Sequence, residues 1–119
     1  MVEEHLDSAV LLALQDVMED EYPLLLDTFL ADSDERLRSL QGALQQADAQ
    51  AVRLAAHSFK GSCSNMGATR LAVLCRQLEE LGRHEQLQPA PELLARIEAE
   101  FAIVRILLKS ERQRYLFRT

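Results

Sequence analysis

The chain has 119 residues, 48% hydrophobic and 27% charged, which is enough for one domain with a core and too few for a second. Thirteen Lys and Arg against nineteen Asp and Glu give a formal net charge of −6, which argues against wholesale binding of nucleic-acid phosphates. Strong helix formers dominate, and no segment shows the alternating β-branched and aromatic pattern of strands. The composition therefore predicts a single all-α domain over residues 1–119.

Apolar residues recur at helical spacing along the whole chain and predict five helices. The predicted helices span approximately residues 7–18, 22–46, 49–66, 69–82 and 92–114. Pro23 fits the first turn of the second helix, Asp48 fits the N-cap of the third, and Gly67 fits a left-handed stop after it. Short connections between long amphipathic helices predict an antiparallel four-helix bundle with a short additional N-terminal helix.

The third predicted helix has one face turned to the core and one face turned to solvent. Apolar positions at steps of three and four form its predicted inward stripe, which comprises Val52, Ala55, Phe59, Ser62, Cys63 and Met66. At 3.6 residues per turn, His57 lies about 160° from Phe59 and is predicted to point to water. The residues that share the face of His57 are Arg53, Lys60, Gly61 and Ser64.

His57, Lys60 and Gly61 together suit the transfer of a phosphoryl group. A neutral imidazole is a competent nucleophile near pH 7, because its reference pKa is about 6.5. Lys60 is expected to screen the charge of the transferring phosphate, since such transfer depends on positioning and electrostatics. Gly61 is expected to give clearance to a partner's active site, although glycine in a helix costs about 1 kcal/mol relative to alanine.

Further residues join this candidate site through the geometry of the bundle. If the third and fourth helices form a hairpin, Glu79 is the polar side chain expected to reach and orient the imidazole of His57. Leu54, one turn before the histidine, is expected to be partly exposed. Together with Arg53 and Ser64 it is expected to contact the partner.

Other roles for the reactive side chains have less support. A metal site built from His57, Cys63 and Cys75 would need converging ligands, and neither cysteine shares the face of the histidine. No metal is therefore predicted, and the cysteines are expected to be reduced thiols packed in the core. His5 and His84 fall in a terminal region and a loop and are expected to be surface residues.

The N-terminal run and the most apolar run both indicate a cytoplasmic protein. The segment "MVEEHLD" is acidic and lacks the charged-then-apolar pattern of an export signal. The late run "FAIVRILL" is short and interrupted by Arg105, so no membrane span is expected.

The segment "AHSFKGSCSNMG" closely resembles the signature of the histidine phosphotransfer (HPt) family, His-x-Leu/Phe-Lys-Gly-small-small-x-x-apolar-Gly. The positions that match are His57, Phe59, Lys60, Gly61, Ser62, Cys63, Met66 and Gly67. The resemblance continues through the preceding "FLADSDERLRSLQGALQQADAQAVRLAAHSFKG" and the following "LAVLCRQLEELGR". It covers roughly residues 7–108, and the chain looks like a stand-alone bacterial member of the family.

The resemblance implies a four-helix bundle that relays phosphoryl groups between aspartates of receiver domains, as in hybrid sensor kinases and response regulators. It implies that His57 carries the phosphoryl group on Nε2, that Lys60 interacts with that group and that Gly61 gives the receiver clearance. The family often has a glutamine near the position of Glu79, so a carboxylate there departs from the pattern. The resemblance implies no ATP site, no kinase activity and no cofactor, with Mg²⁺ brought by the receiver.

Two other classes of function remain open from the sequence. A non-catalytic helical adaptor would bind receivers or regulators through the same exposed surface without transferring phosphate. A helical nucleic-acid binder is a third possibility, which the acidic charge disfavours. The chain is expected to be a monomer, because one bundle accounts for the apolar stripes.

Overall fold

The computed structural model describes residues 2–118, with side chains from residue 4 onwards. All regular structure in this range is helical, so the predicted all-α fold is confirmed. The helices are α1 (Val2–His5), α2 (Ser8–Met18), α3 (Tyr22–Gln45), α4 (Ala49–Met66), α5 (Thr69–Arg83) and α6 (Ala90–Leu116). A 3-10 turn at Glu19–Glu21 joins α2 to α3. The short helix α1 precedes the predicted N-terminal helix and was not expected.

Helices α3 to α6 form the antiparallel bundle. α4 packs against α3 and α5, and α6 packs against the same two helices, so α4 and α6 lie diagonally across the bundle. The rings of Phe59 on α4 and Phe101 on α6 meet edge to face, with centroids 6.4 Å apart. α1 packs on α5 and α6, while α2 packs on α3 and α4.

Capping interactions fix both ends of α4. The Asp48 side chain accepts a hydrogen bond from the backbone N–H of Ala51 at 3.0 Å, as its predicted N-cap role requires. Gly67 ends the helix with φ +78°, the left-handed conformation that glycine adopts at little cost. The backbone N–H of Asp7 donates to the carbonyl of Gly67 at 2.8 Å. This bond anchors the N-terminal segment over the turn between α4 and α5.

The buried face of α4 is rotated slightly from the predicted stripe. Val52, Phe59, Cys63 and Met66 are buried as predicted. Ala56 is also fully buried, whereas Ala55 and Ser62 are only half-buried. The buried positions therefore follow alternating steps of four and three residues, the spacing of helices that pack nearly antiparallel.

Gly82 allows α5 to approach the backbone of the first turn of α4 closely. A Cβ atom at this position would lie 2.8 Å from the backbone nitrogen of Arg53 and 2.9 Å from the carbonyl oxygen of Ala49. These atoms belong to a helix backbone and cannot move aside as the end of a flexible side chain can. The packing of the hairpin therefore requires a residue without a side chain at position 82.

The histidines outside α4 occupy two different environments. His5 is half-buried, and its Nδ1 lies 2.7 Å from Oε2 of the buried Glu100 on α6. The expectation that His5 is a surface residue is wrong, because α1 folds onto α6. His84 is exposed as expected, with Nε2 3.5 Å from Oε2 of Glu80.

Candidate functional site

His57 lies on the outward face of α4 and its side chain is 64% exposed. Its Nδ1 is 2.8 Å from Oε2 of Glu79, which α5 presents from one side. A carboxylate can only accept a hydrogen bond, so in the neutral ring this contact favours the tautomer with the proton on Nδ1. The lone pair is then on Nε2. The site thus holds an oriented imidazole with its nucleophilic nitrogen available.

Glu79 is the buried centre of this site. Its side chain is only 4% exposed, and Oε1 accepts from Nζ of Lys60 at 2.7 Å. Oε2 accepts from His57 and also lies 3.3 Å from Nη2 of Arg83. Burial acts to raise the pKa of Glu79, but the hydrogen bonds and charges of Lys60 and His57 outweigh it and hold the pKa below its ordinary value. The carboxylate is therefore ionised at neutral pH.

Lys60 and Gly61 continue the outward face beyond the histidine. The ammonium group of Lys60 binds Glu79, and its three hydrogens leave donors for an anion arriving at the imidazole. Gly61 is exposed, and a Cβ atom there would have no neighbour within 4 Å. The packing of this chain does not require glycine at position 61, in contrast to position 82.

The residues predicted to contact a partner also lie along α4. Leu54 is 52% exposed, an apolar side chain one turn before the histidine. Ser64 is exposed two turns after it, and Arg53 is half-buried beside the close approach of α5. All three lie on the helix that carries His57, but none of them forms a hydrogen bond or ion pair with the imidazole or with Glu79.

Sequence reasoning missed Arg83 as a member of the site. Its guanidinium bridges Glu79 and the exposed Glu80, whose Oε1 is 3.2 Å from Nε of the arginine. The available signal was the spacing of four residues between Glu79 and Arg83, which brings opposite charges together on a helix.

The cysteines are separate from this site. Cys63 and Cys75 are free thiols buried in the core. The neighbouring thiol of Cys75, together with burial, raises the pKa of Cys63, which keeps it protonated and unreactive. Among the described residues no group of three or more His, Cys, Asp or Glu side chains is arranged to hold a metal ion. None of the helices between residues 2 and 118 is long and apolar enough to cross a membrane.

The comparisons with known proteins agree with this geometry. Residues 24–106 match the Hpt domain family, so the chain belongs to that family. A solved structure to which it is similar is the histidine-containing phosphotransfer protein B (HptB) from Pseudomonas aeruginosa PAO1, with 66% sequence identity and a TM-score of 0.91. The similarity covers 93% of this chain and 96% of the HptB chain. The search of curated proteins gave no match.

The ionised state of Glu79 leads to a prediction on pH and stability. The pKa of Glu79 is lower in the folded chain than in the unfolded chain, where it is about 4.3. Ionised Glu79 therefore contributes to the free energy of unfolding above about pH 4.3. This contribution is lost as the pH falls through the pKa of the folded chain. Acidification below about pH 5 should therefore destabilise the wild type more than Glu79→Gln. Urea unfolding between pH 6 and pH 3 measures this difference, with Glu80→Gln as the control for losing one surface charge. If the free energy of unfolding of wild type and of Glu79→Gln changed equally with pH, the prediction would be contradicted.

Proposed function

We propose that His57 is the phosphoryl acceptor of this histidine phosphotransfer protein, which relays phosphoryl groups between receiver-domain aspartates in a two-component phosphorelay. The main observation in support is the exposed imidazole whose Nδ1 is bound by Glu79, so that Nε2 can react. The proposal includes no kinase activity, because the chain would receive its phosphoryl group from another protein rather than from a nucleotide.

In the proposed step, Nε2 of His57 attacks the phosphorus atom of an aspartyl phosphate on the receiver. The N–P bond forms as the bond between phosphorus and the aspartate oxygen breaks, and the aspartate leaves as a carboxylate. The ring gains positive charge during the attack, and the Glu79 carboxylate at Nδ1 stabilises it. Lys60 offsets the negative charge of the phosphoryl oxygens, and the reverse reaction on a second receiver returns the group to an aspartate.

The receiver-binding surface, the source of Mg²⁺ and the cellular location form part of the same proposal. Leu54 would provide an apolar contact for the receiver, with Arg53 and Ser64 as polar contacts on the same helix. Mg²⁺ would be bound by the receiver, since this chain needs only an imidazole and nearby charges for its part. The two free thiols, Cys63 and Cys75, are compatible with the reducing cytoplasm, where we place the protein.

Incubation with a phosphorylated receiver domain tests the proposal. The chain should acquire a phosphoryl group that is labile in acid and stable in alkali, and peptide mapping should assign it to His57. A phosphate on His5 or His84, or no transfer from any receiver of the source cell, would contradict the proposal. The adaptor alternative predicts binding of a receiver without any transfer.

Gly61→Ala tests whether glycine at position 61 serves the stability of this chain or the approach of its partner. The methyl group meets no neighbour within 4 Å, so the substitution should stabilise the helix by about 0.5–1 kcal/mol. If the receiver needs clearance beside His57, transfer should slow by about tenfold or more despite the gain in stability. Unfolding in urea and rates of transfer from a phosphorylated receiver measure the two effects.

Gly42→Ala on α3 is the matched control, because a Cβ atom there also has no neighbour within 4 Å. It should give a similar gain in stability with an unchanged transfer rate. Equal transfer rates for Gly61→Ala, Gly42→Ala and wild type would remove the clearance role of Gly61.

A further inference from the structure

Helix α6 has two apolar faces, and the bundle covers only one. The buried face comprises Leu93, Leu94, Ile97, Phe101, Val104 and Leu108. The opposite face is exposed and carries Ala95, Ala99, Ala102 and Ile106, which we call the α6 seam. Its residues are spaced by four, three and four positions, the pattern of one helix packing along another. Ile106 is 69% exposed, so the α6 seam presents one large apolar side chain to solvent in line with its three alanines.

The α6 seam continues at both ends with charged residues of opposite sign. Glu92 lies three positions before Ala95, and Lys109 lies three positions after Ile106, so both extend the same heptad spacing. Both side chains are exposed, and neither forms an ion pair with another residue in the part of the chain that the structure describes. The face thus consists of an apolar centre with an unpaired acid at one end and an unpaired base at the other.

We propose that the α6 seam is a dimerisation surface, covered by the α6 seam of a second copy of this chain running in the opposite direction. A two-fold axis between residues 100 and 101 would place Ala99 opposite Ala102 and Ala95 opposite Ile106. The same register places Glu92 opposite Lys109 at both ends of the helix pair. A parallel pairing would place Glu92 against Glu92 and Lys109 against Lys109, so the charge pattern selects the antiparallel arrangement.

The shape of the face agrees with such a pairing. The three alanines permit close approach of two helix backbones, and each Ile106 would fill space beside Ala95 of the other copy. α6 is diagonal to α4 in the bundle, so the α6 seam faces away from His57. Both histidines of the dimer would remain accessible to receivers. The proposal does not depend on the role proposed for His57.

The size of the surface predicts the strength of the association. A single pair of helices lies at the low end of specific interfaces, below about 1,200 Å² in total, so the dimer should form in the micromolar range or above. This proposal replaces the monomer expectation, which assumed that one bundle covered every apolar stripe.

Sedimentation equilibrium of the full chain from about 10 μM to 1 mM tests the dimer. The average mass should rise with concentration from 13.5 kDa towards twice that value. Ile106→Glu should remain at the monomer mass throughout, because it places a charge opposite Ala95 in the apolar part of the pairing, once in each half of the dimer. Val17→Glu is the matched control, since Val17 is an apolar residue on α2 with 77% exposure, and it should associate as the wild type does.

A charge exchange tests the antiparallel register. Glu92→Lys and Lys109→Glu should each weaken the dimer by about tenfold, because each creates two like-charge contacts. The double variant should restore the wild-type affinity, while circular dichroism checks that all variants keep their helices. A monomer mass for the wild type at 1 mM, or equal association of Ile106→Glu and Val17→Glu, would overturn the proposal. Failure of the double variant to restore affinity would overturn the antiparallel register.

Discussion

His57→Gln is expected to abolish phosphoryl acceptance, lowering the rate of transfer from a receiver by at least about 10³-fold. The amide of glutamine has no nitrogen lone pair that can attack phosphorus, whereas Nε2 of the imidazole has one. The side chain is largely exposed, so the bundle should remain folded, with a change in unfolding free energy within about 1 kcal/mol. The rate is measured with a phosphorylated receiver in excess, and stability is measured by urea unfolding.

His84→Gln provides the control for this experiment. His84 is also exposed and lies beside a glutamate of α5, but it is outside the group around Glu79. It should transfer at the wild-type rate. Transfer by His57→Gln at that rate would exclude His57 as the acceptor. Retained receiver binding and undiminished regulation by His57→Gln would favour the adaptor alternative.

Gly82→Ala is expected to destabilise the bundle by about 1–3 kcal/mol. Alanine favours a helix by about 1 kcal/mol over glycine, so an isolated helix would respond in the opposite direction. Here the added methyl group would be 2.8 Å from a backbone nitrogen of α4, and the two helices would have to separate. The separation should also lengthen the contact between Glu79 and His57, because Glu79 lies one turn before Gly82 on α5.

Gly42→Ala is the matched control for this prediction as well, and it should be slightly more stable than the wild type. Urea unfolding of both variants measures the difference in midpoint at an unchanged slope. A Gly82→Ala variant as stable as Gly42→Ala would show that the hairpin can relax at no cost. A fall in the rate of phosphoryl transfer that accompanies the fall in stability of Gly82→Ala would link Gly82 to the site.

The sequence predicted the features that depend on the repeat of a single helix or on one hairpin. The period of α4 placed His57 on the outside and Phe59 on the inside, and both positions agree with the structure. The hairpin register placed the region around residue 78 level with His57 and so made Glu79 the polar side chain expected to reach it, because two antiparallel helices joined by a short turn have few possible alignments. Local turn chemistry identified Asp48 and Gly67 as the ends of α4.

The features that the sequence did not predict depend on three-dimensional contact between distant segments. Gly82 had no local signal beyond a position near the end of a helix, since its importance comes from the backbone of α4 on the other side. The pairing of His5 with Glu100 joins residues 95 positions apart. The outer face of α6 is a different case, since its spacing lies within one helix, but its alanines are residues that any exposed helix favours and do not by themselves indicate a second apolar face.

The carboxylate at position 79 has a consequence for how long a phosphoryl group would stay on the chain. With a neutral imidazole, Lys60 and Arg83 contribute two positive charges and Glu79 removes one, leaving a small positive excess for a group that carries about two negative charges. An amide at this position would leave the full cationic charge to retain the group. On the proposed role, the carboxylate therefore acts in two directions: it stabilises the positive ring through Nδ1, and it offsets part of the attraction that Lys60 and Arg83 exert on the phosphoryl oxygens. Relative to an amide, we expect it to weaken the electrostatic retention of the phosphoryl group, which suits rapid passage of a signal rather than its storage.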